Sequence, residues 1–108
     1  MTVRELLDAT DLTAAALPRG DRDITGVYMG DLLSWVMGRA REGDAWITIM
    51  SNRNVVAVAT LADTACILLA EGVSPDEGVA QLAAEKGVNI LQSPDSAYQI
   101  AMRLRDAL

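Results

Sequence analysis

Apolar residues in this chain occur in two patterns, uninterrupted runs and stripes at helical spacing, and their order predicts a small α/β fold. Ala45-Trp46-Ile47-Thr48-Ile49-Met50 follows a Gly43-Asp44 turn and stays apolar without alternation, as an interior strand buried on both faces does. Thr64-Ala65-Cys66-Ile67-Leu68-Leu69-Ala70 is a second such run and stops at Glu71-Gly72. The segment between them, Asn54 to Asp63, is ambiguous by composition: its valines favour a strand, its alanines and Asn54 a helix. Connectivity decides, because two parallel strands need a crossover of about a dozen residues, usually helical. A short helix within residues 51–63 is therefore expected.

The flanking segments follow the same logic. Thr2-Val3-Arg4-Glu5 has capping-box spacing and predicts a helix over Val3 to Ala9. Thr13 to Leu17 suits a brief edge strand, and Pro18-Arg19-Gly20-Asp21 is turn chemistry. Ile24-Thr25-Gly26-Val27-Tyr28 reads as a short strand carrying a glycine, the mark of a bulge or of close approach by another group. Asp31 is positioned to cap a helix with Leu32, Leu33, Val36, Met37 and Ala40 on one face and Gly43 as its stop; Trp35 and Arg39 fall off that stripe.

Ser74-Pro75-Asp76-Glu77 is a second capping-box pattern, predicting a helix with Val79, Leu82 and Ala83 inward and Gly87 at its end. Gly78 inside it would cost about 1 kcal/mol against alanine, so it is expected to mark a close approach. Val88-Asn89-Ile90-Leu91 is a short strand. Ser93-Pro94-Asp95-Ser96 then starts a last helix whose inner face is Ala97, Ile100, Ala101, Leu104 and Leu108. The second half thus reads βαβαβα, a mainly parallel sheet with helices packed on it. Its 108 residues suit one domain, with residues 1–20 as an N-terminal helix and edge segment on a core of residues 21–108.

Composition narrows what such a domain can do. With no Phe, the core has to be aliphatic. A net charge of −6 with nine scattered Lys and Arg argues against nucleic-acid binding, which draws on clustered cations. No apolar run is long enough to span a bilayer, and no basic start leads into an apolar stretch, so a cytoplasmic protein without a membrane partner is expected. There is no His and one Cys, which removes a zinc site and a Ser-His triad. Cys66 lies in an apolar run, and a buried structural thiol is the expectation there. No phosphate-cradling Gly-x-x-x-x-Gly-Lys sequence occurs, and Lys86, the only lysine, falls on a helix face. The chain is not expected to be an enzyme or to need a cofactor or metal.

Ligands of parallel sheets bind beyond the carboxyl ends of the strands, near helix N-termini. Those ends are Ser51-Asn52-Arg53-Asn54, Glu71-Gly72-Val73-Ser74 and Gln92-Ser93-Pro94, expected to line one crevice. Ser51, Asn52, Asn54 and Ser93 are its candidate hydrogen-bonding residues, although Asn and Ser at such places ordinarily serve as caps and turns.

One stretch is more specific. Asp21-Arg22-Asp23-Ile24-Thr25-Gly26-Val27 resembles the Asp-Arg-Thr-Gly-Gly signature of the DRTGG domain, with Asp23-Ile24 inserted and Val27 in place of the last glycine. The likeness continues through Gly30-Asp31-Leu32-Leu33-Ser34, the Gly43 to Ile49 segment, Asn54 to Ala59 and Ser74-Pro75-Asp76-Glu77, so it spans the chain from about Asp21 onward. Trp35 and Asn52 stand where some stand-alone relatives have an acidic residue and a histidine.

The resemblance implies an α/β fold like the N-terminal domain of HPr kinase/phosphorylase, and a non-catalytic regulatory or ligand-sensing domain that forms a homodimer. Similar domains accompany bacterial phosphotransacetylases and CBS-containing pyrophosphatases, where adenine nucleotides regulate. An adenine nucleotide or other small anion is then the first ligand to expect, with Arg22, Thr25 and Gly26 joining the crevice residues, and Val27 and Trp35 at an interface. The alternative is a ligand-free adaptor that docks a partner protein on the Trp35 helix face.

Overall fold

A computed structural model describes all of residues 1–108. The elements in order are α1 (Val3–Ala9), β1 (Thr13–Ala16), β2 (Gly26–Met29), α2 (Leu33–Arg39), β3 (Asp44–Thr48), α3 (Asn54–Ala62), β4 (Cys66–Leu69), α4 (Val79–Lys86), β5 (Ile90–Gln92) and α5 (Ala97–Ala107). They form one sheet of order β1-β5-β4-β3-β2. β2 through β5 are parallel, and only β1 runs antiparallel, along β5.

The strand order explains the layers. The parallel strands advance across the sheet in one direction, so crossovers of one hand put α2, α3 and α4 on the same face. The opposite face would be bare without the chain ends: α1 supplies Val3 and Leu6, and α5 supplies Ile100 and Leu104. Period-two alternation sorts the central strands between the two cores. Ala45, Ile47, Cys66 and Leu68 face α1 and α5; Trp46, Ile67 and Leu69 face α2 to α4. Both strands are buried along their whole length, which is why their sequences do not alternate. Trp46 is completely buried, and its indole N–H donates to the Gly30 carbonyl at 2.9 Å, so the burial strands no donor.

Two expected boundaries hold closely. Thr2 and Glu5 form a reciprocal capping box, and the segment assigned by connectivity is helix α3. Four local expectations are overturned. Asp31 does not cap α2. Its carboxylate accepts from the Thr48 hydroxyl at 2.8 Å and the Ile49 N–H at 3.0 Å, tying α2 to the end of β3, and Leu32 takes the N-cap without a side-chain bond. Ser74 does not begin α4: Asp76 accepts from the Ser51 hydroxyl, and the helix starts at Val79, after Gly78 in a left-handed conformation (φ +82°). Gly78 therefore serves backbone freedom, with no group near the position of its missing side chain. Ser96, not Ser93, caps α5, in a capping box with Gln99.

The apolar stripes were also too generous. In α2 only Val36 is buried, whereas Leu32 and Met37 are exposed; Leu108 beyond α5 is exposed too. β2 is an open edge, so the helix beside it has little sheet to cover.

Candidate functional site

The signature residues lie at the amino end of the parallel strands. Gly26 opens β2, in register with Asp44 at the start of β3. A β-carbon at Gly26 would stand 2.5 Å from the Asp44 Oδ1, so the glycine admits a buried carboxylate whose other oxygen accepts from the Arg41 N–H at 2.8 Å. Thr25 closes the next link: its N–H donates to the Gly43 carbonyl at 2.9 Å, and its hydroxyl reaches the Glu42 carbonyl at 3.3 Å. Gly43 has φ +83°, and any side chain there would collide with the Thr25 hydroxyl.

Arg22 clasps the end of α3. Its guanidinium pairs with the Asp63 carboxylate at 2.9 Å and donates to the Asp63 carbonyl at 2.8 Å, and that carbonyl also accepts from Gly43 N–H. Asp63 needs the support, since it ends α3 in a left-handed conformation (φ 58°). The chain start braces the same loop from outside: Val3 N–H donates to the Arg22 carbonyl, and Ile24 N–H to the Met1 carbonyl. Arg22, Thr25 and Gly26 thus knit the starts of β2 and β3 to the loop leading into β4.

Cys66 lies just inside this clasp. Burial pushes its thiol up from 9.0 to about 12, against a smaller opposing pull from the Arg22 charge. The thiol is therefore protonated at neutral pH and has no nucleophilic character.

The carboxyl end of the strands brings the three expected loops together, and their polar residues hold one another. The Ser51 hydroxyl donates to Asp76 at 2.8 Å, Asn52 accepts from the Asn54 N–H at 2.9 Å, and Ser93 accepts from the Asp95 N–H at 3.1 Å. Glu71 and Gly72 bond the backbone of Asp95 and Ser93. The crevice left there is about 140 Å³, lined by Thr13, Gly72, Val73, Gln92, Ser93 and Pro94. That is too small for a nucleotide. The expected site residues are accordingly divided: Arg22, Thr25 and Gly26 stand at one end of the sheet, and Ser51, Asn52, Asn54 and Ser93 at the other. No single crevice beside Gly26 joins them. No group of three carboxylates or thiols gathers closely enough to hold a metal.

Larger open space lies on the helical face. A groove of about 520 Å³ runs between α3 and α4, walled by Val56, Ala57, Leu61 and Leu82, with Arg53 and Asn54 at one end and Lys86 at the other. Of the carboxyl-end candidates, Asn54 alone borders it. Thr60 and Lys86 also line a small cleft of about 90 Å³ with Arg19, Arg22, Asp63 and Thr64. Sequence reading missed this pairing because Arg19, Thr64 and Lys86 come from three separated segments, two loops and the end of α4. The available signal was Ala57 and Leu61, apolar residues of α3 lying off its buried stripe.

A second exposed region borders β2. Val27 and Met29 on the strand, and Leu32, Trp35 and Met37 beyond it, are all open to solvent. Trp35 is 53% exposed, with the Arg39 guanidinium over its ring at 3.8 Å, so it lies on the surface and not over the edge of the core.

Comparison with known proteins now fixes the family. The sequence matches the DRTGG domain over residues 3–107, which takes in α1 and β1 and so begins well before the Asp21 expected from the signature. The chain belongs to the DRTGG domain family. Comparison with curated proteins finds no match. Among solved structures, this DRTGG domain is similar to the CBS and DRTGG domains of the regulatory region of Clostridium perfringens pyrophosphatase, complexed with its activator diadenosine tetraphosphate. The TM-score is 0.67 at 12% identity, covering 94% of this chain and 44% of that one. The DRTGG domain thus spans less than half of that regulatory region. At this identity the likeness is one of fold, an α/β sandwich with a mostly parallel sheet. No helix is long and apolar enough to cross a membrane.

Proposed function

We propose that this DRTGG domain is a non-catalytic, ligand-sensing regulatory module whose ligand is an adenine nucleotide. The observation that carries the reading is the α3–α4 groove: its volume falls in the range of small-molecule sites, its walls are apolar, and cations stand at its ends. The similarity to a regulatory region that binds a diadenosine compound supports the choice of base. Of the expected ligand residues, Asn54 borders the groove and Arg22 the adjoining cleft, whereas Thr25 and Gly26 are committed to the clasp. Calorimetry with AMP, ATP and diadenosine tetraphosphate tests it. Saturable heat with at least one is expected, and silence with all three at millimolar concentration removes the nucleotide.

The exposed apolar group of Val27, Met29, Leu32 and Trp35 favours a second role, contact with another copy of the chain or with a partner protein. Homodimerisation through this edge is the reading we favour. Light scattering should give twice the monomer mass at micromolar concentration, and Trp35→Ala should lower it without unfolding the domain. A monomeric parent chain would leave the adaptor role alone standing.

A further inference from the structure

We infer that the cleft between the C-terminal ends of α3 and α4 binds a phosphoryl group, through Arg19, Arg22 and Lys86 with the hydroxyl of Thr64. Three of the chain's nine cations meet there, although the protein as a whole carries −6. The cleft's own negative charges do not cancel them. Asp63 contributes one, and each of the two helix ends is equivalent to about half a charge, so the cleft is left about one unit positive. Arg22 is engaged by Asp63, but neither Arg19 nor Lys86 enters a salt bridge.

Two further observations separate this cleft from an ordinary pair of helix ends. Thr64 is 8% exposed, lines the cleft, and its hydroxyl finds no partner in the protein. A buried hydroxyl without a partner is unfavourable, and turning it toward a phosphoryl oxygen in the cleft supplies the missing acceptor. Arg19 is also held in advance. Buried Asn89 accepts from the Arg19 N–H at 2.9 Å and donates to its carbonyl at 2.8 Å, fixing the backbone of an otherwise exposed turn. The Arg19 side chain then passes close over Gly87, where a β-carbon would lie 3.4 Å from its Cδ.

At about 90 Å³ the cleft has room for a phosphoryl group and not for a nucleoside. Its junction with the α3–α4 groove at Thr60 and Lys86 lets a base and ribose lie outside it. The inference rests on the ligand-sensing reading only for that remainder of the ligand.

The test is nuclear magnetic resonance of the isotope-labelled full chain titrated separately with inorganic phosphate, AMP and adenosine. Phosphate and AMP should both shift the amides of Arg19, Thr64 and Gly87. Lys86→Ala, a surface change, should weaken phosphate binding about tenfold, the effect of losing one charge-assisted contact. Thr64→Val should weaken it too, while melting no lower than the parent because the hydroxyl has no partner in the protein; unchanged phosphate binding would remove Thr64 from the site. AMP binding more tightly than phosphate, with adenosine shifting Leu61 and Leu82, identifies a nucleotide-borne group. Equal binding of both with adenosine silent identifies free phosphate, which keeps the site and removes the adenine. Amides unmoved by phosphate, or Lys86→Ala and Arg19→Ala binding like the parent, overturn the site. AMP binding that leaves the cleft unmoved overturns it while sparing the nucleotide.

Discussion

The two ends of the parallel sheet are built from the same kinds of residue, yet they differ in what those residues hold. At the amino end Arg22, Thr25 and Gly26 engage groups from far along the chain, Glu42, Gly43, Asp44 and Asp63, and several are buried or conformationally demanding. Among the candidate residues at the carboxyl end, Asn52 and Ser93 bond residues two positions away, and only Ser51, through Asp76, joins separate loops by its side chain. The family signature therefore sits at the end where side chains secure the fold, opposite the end where parallel sheets usually bind ligands. A signature motif need not lie at the end of the sheet where ligands usually bind.

That contrast can be broken by mutation, and the largest effect is expected at Gly43. Gly43→Ala imposes a left-handed backbone on a residue with a side chain and drives that side chain into Thr25. A loss of about 3 kcal/mol is expected from the two costs together, read as a lower urea midpoint. Arg22→Ala comes next. Asp63 is 55% exposed, so solvent screens the ion pair, but the bond to its carbonyl goes as well. About 1–2 kcal/mol is expected, and an unchanged midpoint would show that the clasp is ornamental.

Alkali probes the same end without mutation. Folding holds the Cys66 thiol protonated to about pH 12, whereas the unfolded thiol ionises near 9.0. The unfolded chain therefore binds fewer protons in that window, and stability should fall as pH rises from about 9 towards 12, by up to about 1.4 kcal/mol per pH unit. Comparing Cys66→Ala with the parent isolates the thiol, since the variant should lose this component of the slope. The smallest effect belongs to the other end. Ser51→Ala removes one partly exposed bond to Asp76 and should cost less than about 1 kcal/mol. A cost equal to that of Arg22→Ala would erase the contrast.

What could be read from the sequence follows from how local each determinant is. The box at Thr2 and Glu5 closes within one turn, and the helix assignment for α3 follows from a steric requirement of parallel strands, so both were legible. Asp31 has the residue type and place of a cap, and Ser74 the spacing of a capping box, but Thr48 takes the Asp31 carboxylate from elsewhere in the chain and Ser51 binds Asp76 beside Ser74. Spacing cannot reveal such a competitor. The candidate residues divided for a related reason. Arg22, Thr25 and Gly26 precede or open a strand, while Ser51, Asn52, Asn54 and Ser93 follow one, and in a parallel sheet that difference alone sends them to opposite ends. The cleft at Arg19, Thr64 and Lys86 joins segments with no shared sequence pattern, so only the fold assembles it.

The helix layers also set an order of events during synthesis. The face under α2, α3 and α4 is closed by segments that follow their strands directly, and it can form as the chain emerges. The opposite face has to await α5, the last helix of this domain, whose Arg103 reaches back to Asp11. Until then Ala45, Ile47, Cys66 and Leu68 have only α1 to cover them, and a nascent chain stalled before Ala97 would present a sticky, half-roofed sheet to chaperones.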